Sequence, residues 1–457
     1  MSSTLGNFII SDNITLDVPR AGFQCIQIGN TIYAIGGRLS KDINTPVSSI
    51  SHASIENGSI GNFEPSSDIT LDVPRADFQC IQIGDNVYAI GGIGNNRNVY
   101  SSIGVATITN GSLSSFKPAD ITLDVPRTGF QCIQIDDNVY AIGGGGDNNH
   151  VRSIGVATIT NGSLSSFTTT DRIALDIPRL FFHCIQIGDN VYAIGGGVIN
   201  ITSIGVATIT NGSLSSFTTA GITLDTDREA LQCIQIGDNV YAIGGAFVDS
   251  IGVATITNGS LSSFTTADIT LDVPRADFQC IQIGNNVYAI GGAENDTSLL
   301  SSISIAPIIS NPCFLSTTEI LVDIDTYKTA KDIKVGEYIS FFNTTSRVTR
   351  VIKSKIEDYE KLGDNKIFKI PKDFFSHGLP DKDTYLSGYH RLIFPSKTGF
   401  LGVQVFKCVP ETNIIKTEKE LLDITGENKL YYYNIELENN GFALVANNMA
   451  IESYVKS

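Results

Sequence analysis

Tryptophan is missing from the 457 residues, so any core must be packed by the 23 Phe and 16 Tyr and the aliphatic side chains. No stretch approaches 18 consecutive apolar residues, which argues against a helical membrane span. Met1 to Asn13 has neither a basic n-region nor an apolar h-region, so a soluble protein outside the conventional secretory route is expected. Basic residues are in deficit, 31 Lys plus Arg against 47 Asp plus Glu, and a net charge of -16 makes nucleic acid and anionic membranes poor partners. Histidine is scarce, and His52, His150 and His377 stand apart from cysteines and carboxylates at metal-like spacing. No metal or other cofactor is expected. Eight cysteines in so long a chain do not make a disulfide-dense scaffold.

What is present is a repeat. Cysteines at 25, 80, 132, 184, 233 and 280 recur at intervals of 55, 52, 52, 49 and 47 residues, while Cys313 and Cys408 stand outside the series. Around each periodic cysteine the same text returns. In the second copy it reads Leu71-Asp72-Val73-Pro74-Arg75, then Phe78-Gln79-Cys80-Ile81-Gln82-Ile83, then Asn86-Val87-Tyr88-Ala89-Ile90-Gly91-Gly92. The block 104–116 returns verbatim at 155–167, 205–217 and 252–264. Each unit offers four short β-branched and aromatic runs separated by Gly and Asn-Gly turns, which predicts four antiparallel strands.

Four strands in a period of about 50 residues resemble the kelch family of β-propellers. The resemblance rests on the Pro-Arg entry, the Tyr-Ala-Ile-Gly-Gly strand and Leu-Ser-Ser-Phe, where Phe116 and its equivalents stand in for the family's Trp. The sixth unit ends without a Leu-Ser-Ser-Phe strand, and Thr4-Leu5-Gly6-Asn7-Phe8 supplies one at the other terminus. An all-β, six-bladed ring over residues 1–310, closed by the N-terminal strand, is therefore expected, followed by a second β domain.

Length variation is concentrated in one place. The stretch between Gly-Gly and the next strand has 12, 10, 9, 7, 5 and 10 residues across the six units. These loops should project from one face, where a protein partner would bind, although unconstrained drift explains the lengths equally well. Arg20, Arg75, Arg127, Arg179, Arg228 and Arg275 each follow an Asp by three residues, a pattern expected of structural ion pairs rather than a ring for an acidic ligand. The periodic cysteines are expected to be buried thiols, and the lone His183 a packing residue. The Asn-Gly-Ser sequences at Asn57, Asn110, Asn161, Asn211 and Asn258 are explained by turn chemistry.

Composition changes near Asn311. Residues 1–312 carry 12 basic and 27 acidic side chains with two lysines, and residues 313–457 carry 19 and 20. A junction at 311–312 and a second domain at 313–457 follow. Four blocks in order resemble the Hint (Hedgehog and intein) autoprocessing family: Cys313-Phe314 with Thr318 and Ile320, the run 330–339, Leu386-Ser387-Gly388-Tyr389-His390, and the closing runs 432–436 and 445–454. The resemblance implies Cys313 as nucleophile on the carbonyl of Pro312, His390 as general acid and base, and Ser387 as the residue orienting the scissile peptide. An N-to-S acyl shift would leave a thioester at Pro312–Cys313, and its resolution would release residues 1–312. Pro312 constrains the carbonyl to be attacked and slows both steps. With nine residues after Asn448, splicing is not expected, and no sterol-recognition extension follows. The alternative is a structural or adaptor protein whose Hint fold no longer acts. Repeat and Hint pairings resemble proteins of large DNA viruses, which would place the protein in the host cytoplasm or the virion.

Overall fold

The structure is a computed structural model. It describes residues 3–310 apart from 41–44, 57, 147–149, 198–201, 246–247 and 296; beyond them it describes 314–315, 319–323, 326–341, 344–355, 367–370, 384–387, 391–396, 399–404, 431–437, 443–446 and 449–452. The chain separates into one compact unit of residues 3–309 and another from 310 onward. Among the described residues the only helical segments are two three-residue 3-10 turns, Asn95–Arg97 and Ala330–Asp332.

The first unit is a six-bladed β-propeller. In the second blade, Gln79–Ile83 is innermost, followed outward by Asn86–Ile90 and Ser102–Thr109. Val87, Tyr88, Ala89 and Ile90 are all buried, because neighbouring blades cover both faces of that strand. The third strand turns back at Asn110 and Gly111, whose φ of 51° and 76° suit a tight hairpin.

The outermost position differs from the expected single fourth strand. Ser112–Leu113 pairs with the end of the third strand and Lys117–Thr122 with its beginning. The chain leaves the ladder between them and Phe116 is buried. The Phe116 N–H donates to the Thr70 carbonyl of the preceding blade at 2.8 Å, so an in-blade bond is exchanged for one between blades. Phe8, Phe63, Phe167, Phe217 and Phe264 do the same at 2.8–3.1 Å. Each buried Phe side chain contributes about 1.5–3 kcal/mol, which lets the blades pack without Trp.

The ring closes as the end counting predicts. Ser3–Leu5 and Ile9–Thr15 lie on the outer edge of the sheet formed by Gln279–Ile283, Asn286–Ile290 and Ser302–Ser310. The Leu5 N–H donates to the Tyr241 hydroxyl at 3.1 Å, just as Leu164 bonds Tyr88 and Leu214 bonds Tyr140 at 3.2 Å. Among the described residues the ring's hydrophobic core comprises six clusters, each shared by two adjacent blades.

A collar of buried ion pairs ties each linker to its blade. Arg127 donates through Nε and Nη2 to Asp124 at 3.1 and 2.7 Å, and through Nη1 to the carbonyls of Gly143 and Ser153 at 2.7 and 3.0 Å. Its own carbonyl accepts from Gly92 of the previous blade at 2.8 Å, so one residue joins two blades. All six arginines repeat the pattern and none is more than 2% exposed. The blades at the closure are less complete. Gly104, Gly155, Gly205 and Gly252 leave room for the Asp, since a Cβ there would lie 2.4–2.6 Å from its Oδ1. Ser51 and Ser304 occupy that position in the first and sixth blades. There the pairs lengthen to 3.2 Å, and Arg20 Nε and Arg275 Nε have no partner among the described residues.

Among its described residues the second unit forms two six-stranded antiparallel sheets. In one, Phe314–Leu315 lies between Tyr431–Leu437 and Thr384–Ser387. In the other, Glu319–Asp323 pairs with Thr326–Thr329 and Ala443–Ala446. Ile320, Ile333, Ile339, Val348 and Ile370 are buried. Glu337 accepts from Lys328 Nζ at 2.7 Å and from the Lys334 N–H at 3.1 Å, which fastens the turn before Tyr338–Phe341.

Candidate functional site

Between the linker Arg and the inner strand each blade has two residues that differ among otherwise near-identical copies: Ala21-Gly22, Ala76-Asp77, Thr128-Gly129, Leu180-Phe181, Glu229-Ala230 and Ala276-Asp277. The second of each pair is left-handed, with φ of 62°, 53°, 58°, 55°, 55° and 53°. Each donates its N–H to the corresponding carbonyl of the preceding blade at 2.7–3.1 Å, and Gly22 donates to Asp277. Six backbone hydrogen bonds thus form a closed circle around the axis. Glycine adopts this conformation freely, whereas Phe181 and Ala230 hold it against a cost of about 1 kcal/mol or more each.

The side chains of this circle do not follow its symmetry. It borders a cavity of about 60 Å³ to which all six blades contribute. Arg38, the first residue after Gly-Gly in the first blade, crosses to both flanking blades. Its Nη1 donates to both Asp77 oxygens at 3.1 and 3.2 Å, and its Nη2 donates to Asp277. Gly22 keeps the path open, since a Cβ there would lie 2.2 Å from Asp77 Oδ1. Burial pushes the Asp77 carboxyl up to about 6, with Arg38 opposing the shift and Asp277 adding to it. Burial works against the Arg38 charge, but Asp77 and Asp277 outweigh it and hold the guanidinium protonated. Burial and Asp277 together raise Glu229. On the far blades Phe181, Phe182 and Leu231 line the cavity beside Gln232.

The variable loops leave from this same rim. Arg38 bridges Ala21, Ile93 bridges Ala76, Gly145 bridges Thr128 and Ala293 bridges Ala276, so the first residue of each of these loops pairs with a linker beside the circle. The sequence pointed to the loops but not to the circle. Its signal was available in the two adjacent positions that change from copy to copy within a fixed frame.

Other expectations also find their places. The linker arginines are buried and each is paired with its linker Asp within the collar. The periodic cysteines are free thiols, Cys233 buried and the other five half-buried rather than fully enclosed as expected; desolvation is still the chief cause of their raised values, up to about 12 at Cys132 and Cys233. Burial lowers His183 to about 4, leaving a neutral ring. Gln279 Oε1 accepts from the Cys25 N–H at 3.4 Å and Gln131 Oε1 from the Cys184 N–H at 3.5 Å, both between blades. The second Gln of the inner strand instead bonds its own turn, as Gln82 does to Gly84 at 3.1 Å. Among the described residues no three His, Cys, Asp or Glu gather as a metal site, and no helix is long and apolar enough to cross a membrane.

Pro312, Cys313 and His390 lie outside the described residues, as do His377 and Cys408. Of the expected Cys313, Ser387 and His390 set, only Ser387 falls among them. It ends the strand Thr384–Ser387, opposite Ile367.

Compared with models of protein families and with curated proteins, the sequence matches none. The propeller fold and the circle at its axis are therefore what a functional reading rests on.

Proposed function

We propose that the propeller is a protein-recognition ring, of kelch type, that binds its partner through the face carrying the variable loops and the axial circle. The observation that carries this reading is the coincidence of three departures from repeat symmetry on one rim: loop length, the linker pair and the Arg38 cluster. The opposite face is built from short repeated turns and offers no comparable variation. A photo-crosslinking residue at Asn98 or His150, in the loops, should capture the partner, while one at Asn110 or Asn161, in the turns of the other face, should not. Equal capture from both faces would refute the assignment.

The segment from Cys313 onward is read as a Hint-type domain that cleaves the chain at Pro312–Cys313. Cys313 is the nucleophile, His390 the acid and base and Ser387 the orienting residue; the domains are 1–310 and 313–457, joined by 311–312. Support comes from the ladder in which Phe314 faces Leu386, so the chain neighbours of Cys313 and Ser387 share one strand pair. Intact-mass measurement over time, with added thiol, should show release of residues 1–312 from the wild type and not from Cys313→Ala. A single persistent 49.1 kDa species in both would leave the adaptor reading, with a Hint fold that does not act. A viral setting, in host cytoplasm or virion, belongs to the same proposal and rests on the pairing of domains alone.

A further inference from the structure

Asp77 and Asp277 are not needed to close the axial circle. Gly22, Gly129, Phe181 and Ala230 make the same backbone bonds with the same left-handed φ and no carboxylate. Two acids at this depth instead create a demand for a cation, and Asp77 sits in a cavity wall shared by every blade. That demand is met by one arginine from a variable loop. The other five units have Ile93, Gly145, Gly197, Ala246 and Ala293 after Gly-Gly, so Arg38 is not part of the repeat. Its side chain is 9% exposed, and its Nε finds no partner among the described residues although every other polar atom of the guanidinium is bonded. The guanidinium is thus held firmly but not completely, as are those of Arg20 and Arg275 in the collar.

The cavity itself, at about 60 Å³, is several times what one water requires at roughly 10–15 Å³. Its lining combines the two carboxylates of Asp77 and Asp277, five inner-strand glutamines and apolar residues from several blades, Phe78 and Phe182 among them. Glu229, exposed at the rim, adds a third negative group near Asp277. A ligand matching this lining has a stem that can pass apolar residues and a planar, cationic head that can donate to two carboxylates at once, as Arg38 does. An arginine side chain has both.

We propose that the axial mouth is the docking site for an arginine side chain on a partner protein, and that Arg38 occupies this site in cis until the partner's arginine displaces it. The inference rests on the recognition function above and specifies its chemistry. Displacement exchanges one guanidinium for another, so the two carboxylates remain paired throughout.

The test uses the full chain and a synthetic peptide, acetyl-Gly-Leu-Arg-Leu-Gly-amide, beside the same peptide with citrulline, which keeps the shape and loses the charge. Titration calorimetry should show binding to Arg38→Ala at least tenfold tighter than to the wild type, because the competing arginine is gone. The citrulline peptide should gain nothing, and Asp77→Asn with Asp277→Asn in the Arg38→Ala background should abolish the gain. Arg38→Gln, which retains a stem and two donors, is the second variant and should fall between Arg38→Ala and wild type; it serves if Arg38→Ala melts prematurely. Equal affinity of wild type and both variants, or of the arginine and citrulline peptides, would overturn the proposal. Partner crosslinking from Asn98 and His150 with no arginine dependence would overturn it while leaving the recognition function standing. Absence of crosslinking together with arginine-specific peptide binding would do the reverse.

Discussion

The collar and the axial circle lie a few residues apart in every blade, yet they treat symmetry in opposite ways. In the collar the same Asp and Arg recur six times, because each guanidinium must satisfy two carbonyls and a carboxylate in a space that admits little else. In the circle the backbone makes the essential bonds, so side chains are released from the fold. Four copies became Gly, Gly, Phe and Ala, and two became Asp. Regular positions report what the ring needs to close, and irregular ones report what it can carry in addition.

The largest break in that comparison is expected from Arg127→Ala. It leaves Asp124 buried without its partner and should cost about 3–5 kcal/mol in chemical denaturation. A loss below 1 kcal/mol would show that the collar is not what joins linker to blade. Its pH dependence follows from the carboxylates. Burial tends to raise Asp124 and Asp176, but bonds and charge from Arg127 and Arg179 overcome this and lower both. Their stabilisation is therefore present above the ordinary carboxylate range and lost as pH falls through the lowered folded value.

Arg38→Ala should cost less, about 1–3 kcal/mol at pH 7.5, and with the opposite pH sense. Asp77 is raised in the fold, so its contribution is fullest below the unfolded value near 4 and declines as pH rises toward about 6. Removing Arg38 raises Asp77 further. The deficit of the variant relative to wild type should thus nearly vanish at pH 4 and grow as pH rises through about 6 toward the variant's higher value. Melting curves across that range check it, and a deficit independent of pH would mean that Asp77 is not the partner that matters.

The smallest effect belongs to Phe181→Gly. Relief of a left-handed Phe, worth about 1 kcal/mol, offsets the reduced apolar burial and the added chain entropy of Gly. Stability should stay within about 1 kcal/mol of wild type, because the circle needs only the residue 181 backbone. A loss beyond 3 kcal/mol would place this side chain among the structural residues.

Much of the ring was legible. The Cys period, the Gly-Gly and Asn-Gly punctuation and the stray N-terminal copy of Leu-x-x-Phe gave six blades and their closure, because local turn chemistry and repeat count act through the chain itself. The Asp-to-Arg spacing of three likewise announced a local ion pair. The division of the outer strand was not legible, since Ser114 to Phe116 leave the ladder for a bond to another blade. Nor was the Arg38 cluster. Arg38, Asp77 and Asp277 are 39 and 239 residues apart and show no common pattern in sequence.

Absence of Trp and scarcity of Lys in the first 312 residues were determined by sequence, and with them a Phe-packed, acidic ring and a compositional break before Cys313. Only the tertiary structure decided that two of those acids meet one arginine at the axis. Ring closure brings the first, second and sixth blades together there, and contacts made by closure depend on where six copies converge, which no single copy encodes.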